Sequence, residues 1–257
     1  MVALTLWGNR MKIGRLLKSH SLRFRKDLST FKRQTEGAER PIPLGKLYPI
    51  LNDAKAESGI GDKIYFFQDL YVAQEIFKAQ PARHVDIGSR VDGLIAHVAS
   101  FRKIEMFDIR PLSSIIRNVA FTQFDLMGEL SPDLIGCTDS LSCLHAIEHF
   151  GLGRYGDPVD ARGHLAGFEN LSKMVKPGGT FYFSVPLGPL RVEFNAHRVF
   201  SMDYLLNMVH GAFDIKQFSY VSDKGTLHVN VPFAGEEATR NFNCNYGCAI
   251  FTLVKRG

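Results

Sequence analysis

The chain has 257 residues, 45% of them hydrophobic and 22% charged, which is enough to bury one large core and too apolar for an intrinsically disordered protein. Its four cysteines, Cys137 and Cys143 in C-x5-C, Cys244 and Cys248 in C-x3-C, match neither a zinc knuckle nor a disulfide scaffold, and no apolar run reaches the roughly 18 residues of a membrane span. The net charge of +5 is uneven: nine Lys and Arg against Asp27 alone give residues 1–35 a charge of +8 and leave the remainder at −3, so the basic balance does not make the body a nucleic-acid binder.

Residues 10–33 set Ile13, Leu16, Leu17, Phe24, Leu28 and Phe31 among these cations. This is the pattern of a basic amphipathic helix suited to an anionic membrane surface, or of a solvated N-terminal helix. The first twenty residues are apolar before they are basic and lack the core and cleavage site of a secretion signal. The expected location is therefore cytoplasmic, with peripheral contact at the inner membrane face through residues 10–33. Prolines at 41, 43 and 49 break any helix and predict an extended connector, so residues 1–68 are read as a basic segment with connector and 69–257 as the main domain.

A helix is predicted over 69–79, with Asp69 at its positive end, and Pro81 stops it. Strand 83–87, helix 91–100, strand 104–109, strand 119–124 and strand 139–146 then follow in the βαβ manner. A helix over 163–175 ends in the turn Lys176-Pro177-Gly178-Gly179 before strand 180–185. A helix over 201–209 and strands 213–221 and 249–254 complete a mostly parallel, doubly wound sheet with a late antiparallel strand.

Chemistry gathers at the predicted strand ends. Gly88, at the turn after strand 83–87, lets the backbone approach a ligand, whereas Ser89-Arg90-Val91 departs from the G-x-G-x-x-G of nicotinamide enzymes. Asp108 ends the second strand, where a carboxylate accepts hydrogen bonds from both ribose hydroxyls. Asp125 ends the third, in position to read an adenine amino group. Asp86, Asp108 and Asp125 at consecutive strand ends form a stronger pattern than any one of them, since a single aspartate there commonly caps a helix.

These motifs resemble the class I S-adenosylmethionine-dependent methyltransferases over about residues 82–186. Asp86-Ile87-Gly88-Ser89 resembles their first loop, Asp108 their ribose acid, Asp125-Leu126 their adenine-side pair, and 171–186 their helix, K-P-G-G turn and fifth strand. The resemblance implies a Rossmann-like class I methyltransferase fold and a cofactor site of Asp86, Gly88, Ser89, Asp108, Asp125, Leu126 and His145. Arg90 departs from it, standing where many relatives carry a second glycine. The run 143–158 together with 194–198 is similar to a bacterial methyltransferase-like family linked to surface-glycan genes, which implies a sugar, a glycan precursor or another small hydroxylated acceptor.

The predicted reaction centre follows the fourth strand, in His145-Ala146-Ile147-Glu148-His149. H-x-x-E-H is also the pattern of an inverted zinc protease, which needs both histidines on one helix, and here His145 closes a strand. His149 is the first candidate for general base and His197 the second, with Glu148 as the orienting or hydrogen-bonding group. Arg154, Asp157, Asn195 and Arg198 are expected to read the acceptor. The alternative is a divalent metal ion held by His145, Glu148, His149 and His197, since some methyltransferases carry E-x-x-E-H at this place. The noncatalytic alternative is a methyltransferase-like binding or assembly protein docked at a membrane.

Overall fold

The computed structural model describes residues 21–36, 42–51, 59 and 61–257, so residues 10–20 of the basic segment and Pro41 lie outside the described residues. The chain divides into two compact units, Met1–Ile60 and Gly61–Gly257. In the first, a helix over residues 21–35 (α1) exposes Leu22 and Phe31. Among the described residues no helix is long and apolar enough to cross a membrane.

The second unit opens with α2, Lys63–Ala79. Its N-cap is Asp62, whose carboxylate accepts from the backbone N–H of Ile64 (3.0 Å) and Tyr65 (3.4 Å). The helix thus begins six residues before the expected start, and the 68/69 boundary falls inside it. Asp69 is an interior helix residue, buried and held by Gln68 Nε2 at 2.9 Å. The apolar spacing of 69–79 marked the helix correctly, but its cap lies upstream among polar residues.

Strands β1 (His84–Ile87), β2 (Ile104–Asp108), β3 (Val119–Gln123), β4 (Thr138–Leu144), β5 (Val175–Leu187), β8 (Phe213–Val221), β9 (Leu227–His228) and β10 (Gly247–Lys255) form one eight-stranded sheet of order β3-β2-β1-β4-β5-β10-β8-β9. The pairs among the first five are parallel, and β10 runs antiparallel to both β5 and β8. The expected mostly parallel sheet with late antiparallel pairing is therefore present. Strands β6 (Arg191–Glu193) and β7 (His197–Val199) make a separate hairpin. A helical turn kinked at Gly93, Val91–Ile95, leads into the short α3, Ala96–Ala99. The longer helices α4 (Gly163–Met174) and α5 (Met202–His210) and the single turn α6 (Glu236–Thr239) follow.

Alternation along the strands sorts the core into two faces. From β5 and β10, Phe181, Phe183, Val185, Ala249, Phe251 and Leu253 join the cluster that contains Phe168 and Leu171 of α4 and Leu205 of α5. Tyr182, Cys248 and Ile250 point the other way, to Val72 and Ile76 of α2 and Val98 of α3. The K-P-G-G segment bulges from the β4–β5 ladder: Val175 pairs with Thr138 and Thr180 with Ser140, so residues 176–179 loop out, with Gly178 at φ +76°.

Candidate active site

The carboxyl ends of β1, β2 and β4 and the segment after β3 border a cavity. At its base, Gly88 has φ +71°, and a Cβ there would stand 2.8 Å from the Ala146 Cβ. Glycine is thus demanded twice, by the left-handed backbone and by the close approach of the loop after β4. Asp86, fully buried, accepts from Ser89 N (3.0 Å), Ser89 Oγ (2.8 Å) and Ser142 Oγ (2.5 Å). Burial pushes its carboxyl up to about 7. Asp86 therefore braces the turn from beneath and forms no part of the cavity wall, a correction to its expected contact with a cofactor.

Asp108, Asp125, Leu126 and His145 all line the cavity, with Phe107 and Phe124 supplying apolar surface. Asp125 also turns its own segment, its Oδ1 accepting from Met127 N at 2.9 Å. Asp108 is engaged by a residue that sequence reasoning missed. Arg110 donates through Nε to Oδ1 (2.9 Å) and through Nη2 to Oδ2 (2.5 Å), and its guanidinium lies over the Tyr155 ring, 4.6 Å from the centroid. The only local signal was a cation two residues beyond a strand-end acid.

After β4 the chain turns through His145 at φ +49°, an uncommon conformation for a residue with a side chain. Both ring nitrogens of His145 are buried without a hydrogen-bond partner, and the ring meets Tyr65 of α2 edge-on at 5.2 Å. Glu148, 1% exposed, places Oε1 3.5 Å from His145 Nδ1 and 3.7 Å from His149 Nε2, with Oε2 unpartnered. Burial drives these groups toward neutrality: Glu148 up to about 8, His145 down to about 3 and His149 down to about 4. His149 Nδ1 is 2.6 Å from the Ala196 carbonyl oxygen, an acceptor, so Nδ1 carries the proton and Nε2 keeps its lone pair.

Several expected roles change. His197 faces Glu193 across the β6–β7 hairpin, Nε2 3.0 Å from Oε2 but outside hydrogen-bonding geometry, and borders neither the cavity nor the cleft beside it. With His197 so turned, the four proposed metal ligands do not converge, and among the described residues no group of three or more His, Cys, Asp or Glu is arranged to hold a metal ion. As placed, the residues do not form a divalent-metal centre, since His197 faces Glu193.

Asp157, expected to read the acceptor, lines the cavity and also folds its own loop. Its carboxylate accepts from the backbone N–H of Gly151 (2.8 Å), Gly153 (3.1 Å) and Tyr155 (3.0 Å). Arg198 is a buried strut: it donates to the carbonyls of Phe150 (2.6 Å), Glu148 (3.3 Å), Ala161 (3.3 Å) and Asp160 (3.5 Å). Asn195, at φ +64°, turns the hairpin and reaches Leu152 O at 3.5 Å. Of the four expected acceptor readers, Arg154 alone lines the neighbouring cleft, where Tyr65, from a helix some 80 residues upstream, joins it. No sequence signal linked Tyr65 to the site, because only the packing of α2 brings it there.

Together, the strand order, the glycine turn and the position of the cavity define the class I methyltransferase fold. The 1,6-didemethyltoxoflavin-N1-methyltransferase of Burkholderia thailandensis, solved with 1,6-didemethyltoxoflavin and S-adenosylhomocysteine bound, is similar with a TM-score of 0.51 at 15% identity, over 74% of this chain and 79% of that one. The 4+2 cyclase SpnF is similar with a TM-score of 0.51 at 14% identity, over 76% and 85% respectively. The fold thus carries both a methyltransferase and a cyclase, and a likeness at this identity speaks for architecture alone. Residues 121–246 match the model of a family described as Caenorhabditis protein of unknown function, DUF268. No curated protein matches the sequence.

Proposed function

We propose that the protein is an S-adenosylmethionine-dependent methyltransferase that O-methylates a small hydroxylated acceptor, a sugar or glycan precursor in our reading. The observation that carries this is the cavity at the strand ends, where Gly88, Asp108, Asp125, Leu126 and His145 meet as the sequence motifs require of a methionine-nucleoside site. When bound, the cofactor supplies a methyl group on a sulfonium centre. Gly88 admits its backbone-proximal part, Asp108 takes the ribose hydroxyls once Arg110 yields its two oxygens, and Asp125 faces the adenine.

His149 is the base in this reading. Its Nδ1–H is committed to Ala196 O, so Nε2 is free to take the acceptor hydroxyl proton as the oxygen attacks the methyl carbon. The burial that keeps the ring neutral also makes it a weak base, so it receives the proton as it departs rather than ionising the acceptor beforehand. Glu148 stands behind it and, held protonated by burial, adds no charge near the donor. The deciding experiment is calorimetric titration with S-adenosylmethionine and S-adenosylhomocysteine, with NAD and a nucleotide sugar as controls. Saturable binding of the methionine nucleosides alone is expected, and its absence in folded protein overturns the reading.

The assembly alternative draws on α1, whose exposed Leu22 and Phe31 sit among Arg23, Arg25, Lys26, Lys32 and Arg33. In our reading this segment supports cytoplasmic, peripheral contact with an anionic bilayer. Co-sedimentation with phosphatidylserine vesicles that is lost at high salt is the expected result.

A further inference from the structure

We propose that the acceptor carries a compact oxyanion, a carboxylate or a phosphate, and that Arg154 grips it in the cleft beside the donor cavity. The inference rests on the methyl-transfer reading for the identity of the molecule next door, and on this cleft for everything else.

The cleft runs alongside the cavity and shares Gly88, Arg110, His145, His149 and Tyr155 with it. Three guanidiniums line it. Arg90 is neutralised by Asp92, through Nε to Oδ1 at 2.9 Å and Nη2 to Oδ2 at 2.7 Å, and Arg110 by Asp108. Arg154 has no carboxylate partner among the described residues. It is nonetheless held in place: Nη1 donates to Ala196 O at 3.0 Å, and the guanidinium lies 5.1 Å from the Tyr155 ring centroid. One edge of the fork is anchored and the rest of its N–H groups remain for a ligand, the arrangement in which arginine recognises planar or tetrahedral oxyanions.

The other groups on the cleft wall form no ion pair with Arg154. His145 and His149 are kept neutral by burial, and the carboxylate on the cleft wall, Asp69, is already held by Gln68 and packed against Gly93. A sulfonium donor in the adjoining cavity would add a further positive charge, and an acceptor with an anionic group balances both. Between the two chambers stands His145, whose two buried ring nitrogens have no hydrogen-bond partner.

The test is calorimetric titration of inorganic phosphate and, separately, acetate into the full chain at constant ionic strength, without and with saturating S-adenosylhomocysteine. We expect at least one anion to bind the S-adenosylhomocysteine-loaded protein no more weakly than the free protein, and the preferred anion to tell a phosphate-bearing from a carboxylate-bearing acceptor. Arg154→Gln should weaken that binding by about tenfold or more, and Arg154→Lys by less, while the S-adenosylhomocysteine affinity stays within about twofold. Competition between the anion and S-adenosylhomocysteine would assign Arg154 to the donor's own carboxylate and overturn the proposal. Binding of neither anion, or anion binding unchanged in Arg154→Gln, overturns it as well. If S-adenosylhomocysteine itself does not bind, the donor reading falls, and the anion arm is still scored on the free protein.

Discussion

Replacing Arg198 by Met separates a reader of substrate from a strut of the fold. The side chain is 4% exposed, and burial lowers the pKa of its guanidinium, which rests on carbonyl oxygens alone. Those oxygens belong to the two ends of the loop after β4, at 148–150 and 160–161, so Arg198 closes the loop that carries Glu148, His149 and Arg154. Only the Phe150 contact is short. Counting that bond in full and the three at 3.3–3.5 Å together as one more, the orphaned carbonyls cost about 3–5 kcal/mol. Methionine fills much of the volume and relieves the burial of a charge, which offsets about 1 kcal/mol, leaving a net loss of about 2–4 kcal/mol. For a compact unit of this size that lowers Tm by roughly 5–15 °C. Urea denaturation with a parallel melt measures it, and proteolysis within 148–161 should accelerate. A loss below about 1 kcal/mol, with acceptor binding abolished, would refute the strut and restore Arg198 as a reader.

Gly88→Ala should weaken S-adenosylhomocysteine binding by about tenfold or more, because alanine meets both a left-handed φ and the Ala146 Cβ; calorimetry and a melt on the same variant report the two costs. Asp108→Ala is expected to lower the same affinity by about tenfold or more with little change in S-adenosylhomocysteine-free stability, since its Arg110 partner is itself exposed. The pH profile of stability follows from signs. Glu148, whose folded pKa is raised to about 8, favours the folded state while it is protonated there, so its contribution is lost as pH rises. The buried histidines, lowered to about 3–4, stop adding stability once the unfolded chain's histidines lose their protons near 6.5. The Glu148 contribution alone should fall by about 1–2 kcal/mol between pH 6.5 and 8, and it is read as the difference between the urea titrations of the parent and of Glu148→Gln across that range, from which the histidine contributions cancel. With an acceptor in hand, His149→Ala should reduce turnover while the S-adenosylhomocysteine affinity is retained; joint loss of both would instead report damage to the loop.

The order of elements was legible because each signal is local. Two-residue alternation marked β8 to its observed ends at Phe213 and Val221, a 3.6-residue period marked α4, and the glycine after β1 and the acids after β2 and β3 stood at strand ends, where a parallel sheet gathers its ligand-binding loops. The cavity at the strand ends was legible for the same reason, since its residues lie within a few positions of those ends. The roles of polar side chains were not legible, because an arginine, aspartate or histidine is defined by what faces it across space. Asp157 and Arg198 read as binding groups and became loop supports once Gly151, Gly153 and the carbonyls of 148–161 were in place around them. His197 lost its site to Glu193 through one hairpin register. Tyr65 entered from a distant helix, and Arg154 became the uncompensated cation only when Arg90 and Arg110 had found their carboxylates. Periodicity and turn chemistry thus determined the fold and the lining of the cavity at the strand ends from the sequence alone. The roles of the polar side chains in the neighbouring cleft and loops were decided by tertiary packing, since hydrogen bonding and desolvation depend on neighbours far apart in the chain.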